Sequence, residues 1–355
     1  MRVCILGNGL SSLTLAKALV NQNIYVDLLL EKKIDKPDQS RTIGISKSNI
    51  EFFNSNIINI EEIIWKIKKI EIFSDNLKNE KLLNFENNNE LFSIVKNFKL
   101  FNILEKSLSK SKYFQKIKFN KNLNFLKNYE LVINNDYSNL ITKKYFNKKI
   151  IKKYNSIAYT TIIEHSKIKN DVAIQIFTKR GPLAFLPISE DATSIVYSLH
   201  NSDKIKNENI VDLINQYNFK YKIKKIKKIK SFELKSLSLR SYFHDNILAF
   251  GDLLHRVHPL AGQGFNMTIR DIKLFTDIIK DKYSLGLPFD SSVSLEFEKN
   301  IKHKNYIFLN GIDLIHEFFN LERKTNSKVL SKSVQYLGKN SSINNFFTKI
   351  ADTGF

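Results

Sequence analysis

The sequence predicts an α/β fold: an open parallel sheet interleaved with a second, β-rich domain and followed by a helical carboxyl-terminal region. Two stretches predict it. At the amino terminus the apolar run Arg2-Val3-Cys4-Ile5-Leu6 is followed by Gly7-Asn8-Gly9-Leu10-Ser11-Ser12, then by Leu13, Leu15, Ala16 and Leu19 at helical spacing, then by a second apolar run from Ile24 to Leu30. Further along, the strand-like Asn246 to Phe250 leads into Gly251-Asp252-Leu253-Leu254-His255-Arg256-Val257-His258-Pro259-Leu260-Ala261-Gly262-Gln263-Gly264-Phe265-Asn266. A helical pattern carried by Met267, Ile269, Ile272, Phe275, Ile278 and Ile279 follows. Strand, glycine turn and helix in succession gather ligands at the carboxyl ends of the strands.

The amino-terminal turn is of the dinucleotide type. Gly7 permits the tight turn, and Gly9 clears space for a pyrophosphate before Leu10 opens the helix. Ser12 stands where the usual pattern has its third glycine, and a serine there still allows close packing. Glu31, just after the second strand, has the spacing of an acid that takes a ribose 2′-hydroxyl.

The later block suits a flavin. Asp252, at the carboxyl end of its strand, can accept hydrogen bonds from a polyol such as a ribityl chain. Gly262 and Gly264 let main-chain N–H groups approach a ring or phosphate, and the helix from Phe265 directs its positive end there, where a reduced flavin carries negative charge.

These motifs resemble the class A FAD-dependent aromatic hydroxylases, and among them the ubiquinone-biosynthesis (2-polyprenylphenol-type) monooxygenases. The matches are Gly7-Asn8-Gly9, Asp38-Gln39-Ser40-Arg41-Thr42-Ile43, Gly181-Pro182-Leu183-Ala184-Phe185-Leu186-Pro187, Phe232-Glu233-Leu234 and the block from Gly251 to Asp271, in the family's order. The resemblance implies a Rossmann-like FAD-binding domain of the glutathione-reductase/para-hydroxybenzoate-hydroxylase type. It places Arg41 near the flavin and the segment Pro182 to Pro187 on the ring-facing side of a substrate sheet. Asp252 is assigned to the ribityl chain, Gly262, Gln263, Gly264, Phe265 and Asn266 to the isoalloxazine and pyrophosphate region, and His258 and Pro259 to the pocket wall.

The implied activity is hydroxylation of a polyprenylated phenol with NAD(P)H and O2 in ubiquinone biosynthesis. The cofactor carries the chemistry while the protein orients it and excludes water, so no nucleophile triad or metal site is needed. An isoprenoid-reducing flavoenzyme of the same fold, and a non-catalytic FAD-binding subunit of a membrane-associated biosynthetic complex, remain as alternatives. One departure bears on NAD(P)H. The family carries an Asp-Gly pair after a strand, whereas Leu131-Val132-Ile133-Asn134-Asn135-Asp136 is followed by Tyr137. Tyrosine does not take a positive φ cheaply, so either the backbone differs or strain is tolerated.

Composition fits an interleaved enzyme: 355 residues at 43% hydrophobic content can bury a large core. The expected division is a FAD-binding domain over 1–70, 95–150 and 240–320, a substrate domain over 71–94 and 151–239, and a helical segment over 321–355. A single cysteine rules out an internal disulfide and a cysteine-based zinc site, and points to a reducing compartment. The expectation is a cytoplasmic protein, soluble or peripheral on the inner membrane, with no presequence ahead of Gly7.

The net charge of +21 favours anionic partners, yet Lys, Asn and Ile abound throughout, so it assigns none. The basic run from Tyr221 to Lys230 lacks the interleaved aromatics of a nucleic-acid surface and reads as a solvated element with inward isoleucines. Near the end, Ile307, Gly311, Leu314, Ile315 and Phe318 form one helical stripe and Leu330, Val334 and Leu337 another, both expected to pack on the body. Phe346 and Phe347 offer a membrane contact for an isoprenoid-using enzyme.

Overall fold

The amino-terminal run folds as predicted, into a strand, a glycine turn and a helix. The computed structural model describes residues 2–30, 37–77, 80–87, 90–119, 123–200, 207–257, 263–325 and 329–338, with Lys349 and Asp352. In chain order the elements are β1 (Arg2–Leu6), α1 (Leu10–Asn21), β2 (Tyr25–Leu30), β3 (Thr42–Ser46), α2 (Lys47–Asn56), β4 (Ile64–Ile67), β5 (Lys69–Ser74), β6 (Lys81–Glu86), β7 (Phe92–Lys96), α3 (Asn97–Leu108), β8 (Phe114–Lys118) and β9 (Leu131–Asn134). There follow α4 (Leu140–Tyr145), β10 (Lys149–His165), β11 (Val172–Thr178), β12 (Gly181–Pro187), β13 (Ala192–His200), α5 (Asn207–Tyr217) and β14 (Ile223–Ile226). The chain continues through β15 (Lys230–Leu239), β16 (Phe243–His244), β17 (Ile247–Ala249), β18 (His255–Arg256), α6 (Gln263–Ser284), α7 (Ser291–Thr325) and α8 (Val329–Gly338).

Among the described residues, three sheets organise the molecule. A six-stranded sheet runs β16-β17-β9-β1-β2-β8, parallel except where β16 hairpins onto β17. Its central strands are apolar on both faces, as a parallel sheet covered on both sides requires: Val3, Cys4, Ile5, Val132 and Ile133 are fully buried. A nine-stranded sheet runs β18-β15-β10-β13-β12-β11-β5-β6, with β14 added beside β10; its pairs are antiparallel apart from β11 with β5. The third, β3-β7-β4, packs an apolar layer of Trp65, Ile67, Phe92 and Ile94 against Ile162, Ala173, Leu186 and Ile188 of the large sheet and its turns.

The basic run folds as a strand and its flanks, with Ile223, Ile226 and Ile229 turned toward the core and Lys224, Lys225, Lys227 and Lys228 toward solvent. The stripe on α7 differs from expectation. Ile307 and Leu314 are exposed, whereas Phe308, Leu309 and Ile312 join Val257 and Met267 in a buried cluster. Both sets have helical spacing, so spacing alone could not choose between them. The register is set upstream by Val293, Phe297, Ile301 and Asn305, whose buried face continues into the second set. Helix α8 lies on β6, where Gln335 donates to the Lys81 carbonyl at 2.9 Å and Ser331 reaches Ser74.

Candidate flavin site

Three loops converge at the carboxyl edge of the parallel sheet. The first leaves β1 through Gly7, whose φ of +105° is one that glycine adopts freely; a Cβ there would stand 3.4 Å from both the Asp136 amide nitrogen and Ser12 Oγ. Gly9 then caps α1 in extended conformation with no side chain over the first turn and no acid within it. A Cβ on Gly9 would meet nothing within 4 Å. The first N–H groups of the helix thus have no side-chain cap, and uncapped helix N–H groups are what holds a phosphate. Leu10, partly buried, packs against the core, and its carbonyl accepts from Thr14 Oγ1.

The second loop follows β9. The Asn135 amide donates to the Leu6 carbonyl at 2.9 Å, locking this loop to the first. Asp136 accepts from the amide and hydroxyl of Ser138 at 2.7 Å each, an Asx turn leading into α4. Tyr137 takes no positive φ; among the described residues the non-glycines that do are Asn23, Asn155 and Asp245. The backbone thus differs from that of an Asp-Gly turn. The Tyr137 ring, 57% exposed, lies under the Arg256 guanidinium at 4.8 Å.

The third loop is the turn after β17. Gly251, at φ +59°, passes so close that a Cβ would sit 2.8 Å from Asn135 Oδ1 and 3.0 Å from Ser11 Cβ. Asp252 follows it, exposed at the sheet edge, while Leu253 and Leu254 anchor the turn in the core. Beneath them His255 is buried and paired with Asp271 of α6, itself fully buried. Burial alone would push the imidazole pKa down, but the charge and hydrogen bond of Asp271 more than offset it and the net shift is upward. The pair thus fastens the loop bearing Asp252 to α6.

At the start of α6, Gln263, Gly264 and Phe265 are partly buried, and Gly264 packs toward Val257. Asn266 is a buried junction. Its Oδ1 accepts from the Ser46 amide and from Asn49 Nδ2, both at 2.9 Å, and its Nδ2 donates to the Gly44 carbonyl at 3.0 Å. These bonds tie the first turn of α6 to β3. Arg41, exposed, precedes β3; its carbonyl accepts from the Asn97 amide at 3.0 Å.

Comparison with known proteins agrees with this geometry. A family profile described as an FAD binding domain matches residues 176–280. The ubiquinone biosynthesis monooxygenase COQ6 of Schizosaccharomyces pombe is 22% identical over 274 residues, 63% of this chain and 57% of that protein. The 3-demethoxyubiquinol 3-hydroxylase of Escherichia coli is 28% identical over 156 residues, 42% of this chain and 40% of that one. The matches thus span about half the length of these curated relatives. In fold, the chain is similar to p-nitrophenol 4-monooxygenase PnpA from Pseudomonas putida, with a TM-score of 0.78 at 9% identity over 99% of this chain and 98% of that one. The chain is thus similar to FAD-dependent monooxygenases in sequence and in fold.

The residues present fit FAD. Ser12 Oγ and both polar side-chain atoms of Asn135 are buried with no hydrogen-bond partner among the described residues. They sit at the junction of the loops, beside the open amino end of α1. Of the residues singled out by sequence, the structure joins Gly7 and Ser12 with Asn135 and Gly251 in one cradle, with Gly9 and Leu10 at its helix end and Asp252 at its edge. Asn266 belongs to a second group, with Gly44 and Ser46, which Arg41 meets through β3. Glu31, His258, Pro259 and Gly262 lie outside the described residues.

Two features of this site were missed by sequence reasoning. Asn135, flanking the first glycine turn, left no signal beyond its place after a strand. The His255–Asp271 pair did leave one. Asp271 falls on the same helical face as Met267 and Phe275, and a charge on the buried face of an amphipathic helix requires a buried partner.

Proposed function

We propose that this chain hydroxylates the ring of a polyprenylated phenol, taking electrons from NAD(P)H and oxygen from O2, as a step of ubiquinone biosynthesis. The observation that carries the flavin part is the cluster of unpartnered polar atoms, Ser12 Oγ with Nδ2 and Oδ1 of the Asn135 side chain, beside the amino end of α1. The names of the two curated relatives support the substrate class. Bound FAD supplies the two-electron and oxygen chemistry.

The chain's own residues bind and orient. Main-chain N–H groups from Gly9 to Ser12 take the pyrophosphate, and the Asp252 carboxylate accepts from ribityl hydroxyls. The Gly44–Ser46 end of β3 and the Gln263–Asn266 turn frame the ring, with Arg41 at the far end of β3. Glu31 for the ribose, and His258, Pro259 and Gly262 for the ring pocket, are assigned on sequence. An apolar substrate is supported by the layer of Trp65, Phe92, Ile94 and Leu186, whose Phe92 ring would stand 3.5 Å from a Cβ on Gly44. Such a layer excludes water from the reacting groups.

Contact with a membrane surface belongs to the same proposal. No helix among the described residues is long and apolar enough to cross a bilayer. Exposed Ile150 and Ile151, flanked by Lys149, Lys152 and Lys153, present apolar side chains within a cationic segment.

Anaerobic stopped-flow absorbance of the FAD-loaded protein, mixed with NADPH or NADH, tests the reading. The expected result is bleaching of the flavin that a short-tailed polyprenylphenol accelerates, followed on aeration by a product heavier by one oxygen. Bound FAD that neither nucleotide reduces would overturn the NAD(P)H assignment, and a reduced isoprenoid in place of the hydroxylated ring would overturn the monooxygenase.

A further inference from the structure

Among the described residues of the carboxyl-terminal segment, Asp352 adjoins the proposed flavin site. Helix α2 begins after Ser46, yet the Ser46 hydroxyl does not cap its own helix. Ser46 Oγ and Ser48 Oγ both donate to the main-chain oxygen of Asp352, at 2.9 Å each, and the Ser48 amide donates to Asp352 Oδ1, also at 2.9 Å. A carboxylate from the far end of the chain thus takes the capping place, where helix N–H groups favour negative charge. From the other side Arg270 donates to the same main-chain oxygen at 3.2 Å, with its guanidinium 5.0 Å from the centre of the Phe308 ring.

These contacts adjoin the Asn266 junction. The Ser46 that donates its hydroxyl to Asp352 also donates its amide to Asn266, and Arg270 lies one helical turn beyond Asn266 on α6. Asp352 therefore fastens the end of β3, the first turn of α2 and the opening turns of α6 together. The Gly44–Ser46 and Gln263–Asn266 segments in this knot are the two that frame the ring in the proposed function.

We propose that Asp352 is a positioning residue for the flavin, holding Ser46, Ser48 and Arg270 so that the two segments framing the ring keep a fixed separation. The inference rests on the flavin reading. Charge-assisted bonds of this kind are stronger than neutral ones. Losing the carboxylate therefore loosens the frame more than replacing it with an amide, which still offers Oδ1 to the Ser48 amide.

The test compares the full chain with Asp352→Ala and Asp352→Asn. Each is titrated with FAD while the shape of the visible flavin band is followed, and amide hydrogen exchange is read on the segment containing Ser48. Asp352→Ala is expected to weaken FAD binding about three- to tenfold, to alter the resolved structure of the visible band and to speed exchange at Ser48. Asp352→Asn recovers most of each change. Unchanged exchange in Asp352→Ala overturns the contact between the carboxylate and the Ser48 amide, and the role built on it, whether or not FAD binds. Faster exchange with unaltered FAD affinity and spectrum overturns the positioning role and leaves the flavin reading standing. A wild-type chain that binds no FAD overturns the flavin reading, and this role with it.

Discussion

In the nine-stranded sheet, His165 closes β10 with both ring nitrogens engaged, Nε2 with Thr193 Oγ1 and Nδ1 with the Ser166 carbonyl, at 2.9 Å each. Asn170 extends the network, donating to the Ser189 carbonyl at 2.8 Å and accepting from the Tyr221 hydroxyl at 3.1 Å. At the edge of the six-stranded sheet, Ser12 Oγ and the Asn135 side chain are equally buried but have no partner among the described residues. An unsatisfied buried polar group costs about 1–3 kcal/mol, so a fold retains adjoining ones only where something else completes them. Single unpartnered atoms such as Ser294 Oγ, in the first turn of α7, occur elsewhere; at the sheet edge Ser12 Oγ and both polar side-chain atoms of Asn135 gather around Gly7 and Gly251. The satisfied network is scaffold; the unsatisfied one is the edge that the proposed flavin would complete.

The His255–Asp271 pair, satisfied but placed directly under the ligand edge, gives the largest expected effect. Replacing Asp271 by Asn strands a buried imidazolium, which costs about 3–5 kcal/mol of folding stability. The pH dependence follows from the raised imidazole value. Its stabilisation is fully present below the unfolded value of about 6.5 and is lost as pH rises through the higher folded value. Urea midpoints of wild type and Asp271→Asn should therefore converge as pH is raised from mildly acidic to alkaline. A gap that stays constant would show that His255 carries no proton in the fold.

Two glycines separate ligand space from packing space. Gly251→Ala meets Asn135 and a positive φ, so stability and FAD affinity fall together. Gly9 has an ordinary φ of −74° and nothing within reach of an added Cβ. Gly9→Val is expected to change thermal stability of the FAD-free chain by no more than about 1 kcal/mol. It should weaken FAD by about 1–3 kcal/mol, because the new side chain enters the space the pyrophosphate needs. Equal FAD dissociation constants for wild type and Gly9→Val would remove the cradle from the argument.

On the scaffold side, Thr193→Val should do the reverse. It leaves His165 Nε2 and Asn170 Nδ2 each short of a partner, at a cost of about 1–3 kcal/mol. FAD affinity should be unchanged in calorimetric titration; a variant that lost FAD as well would show that the two sheets do not divide the work in this way.

Much of the parallel sheet and its glycine turns was legible because the pattern is local: a strand, a turn that glycine alone makes cheaply, and an amphipathic helix, all within about thirty residues. The basic run was readable as a solvated element with inward isoleucines, though Ile223, Ile226 and Ile229, three residues apart, do not have the period of two that marks a strand. Contacts between segments far apart in the chain left little trace. Nothing near Asn135 announces Gly251, and no spacing links Asp352 to Ser48. The buried stripe of α7 was misread for a related reason: a long helix offers several apolar stripes, and the body it packs against selects one of them.

The smallest effect concerns Tyr137, which stands where the family resemblance places a glycine. Since its φ is not positive, the residue carries no backbone strain for a glycine to relieve. Tyr137→Gly should then destabilise the chain, by about 0.5–1 kcal/mol, through added freedom of the unfolded state and loss of the ring under Arg256. Arg256→Ala should cost a similar amount, about 0.5–1 kcal/mol for a cation over a partly exposed ring. Because each change removes the same contact, the double variant should lose less than the sum of the singles. The pair joins the loop after β9 to β18, and so couples an edge of the parallel sheet to an edge of the antiparallel one. A chain stabilised by Tyr137→Gly would mean that the tyrosine is strained after all, and that the loop was shaped for glycine. Strict additivity would instead reduce the pair to two neighbours without a shared role.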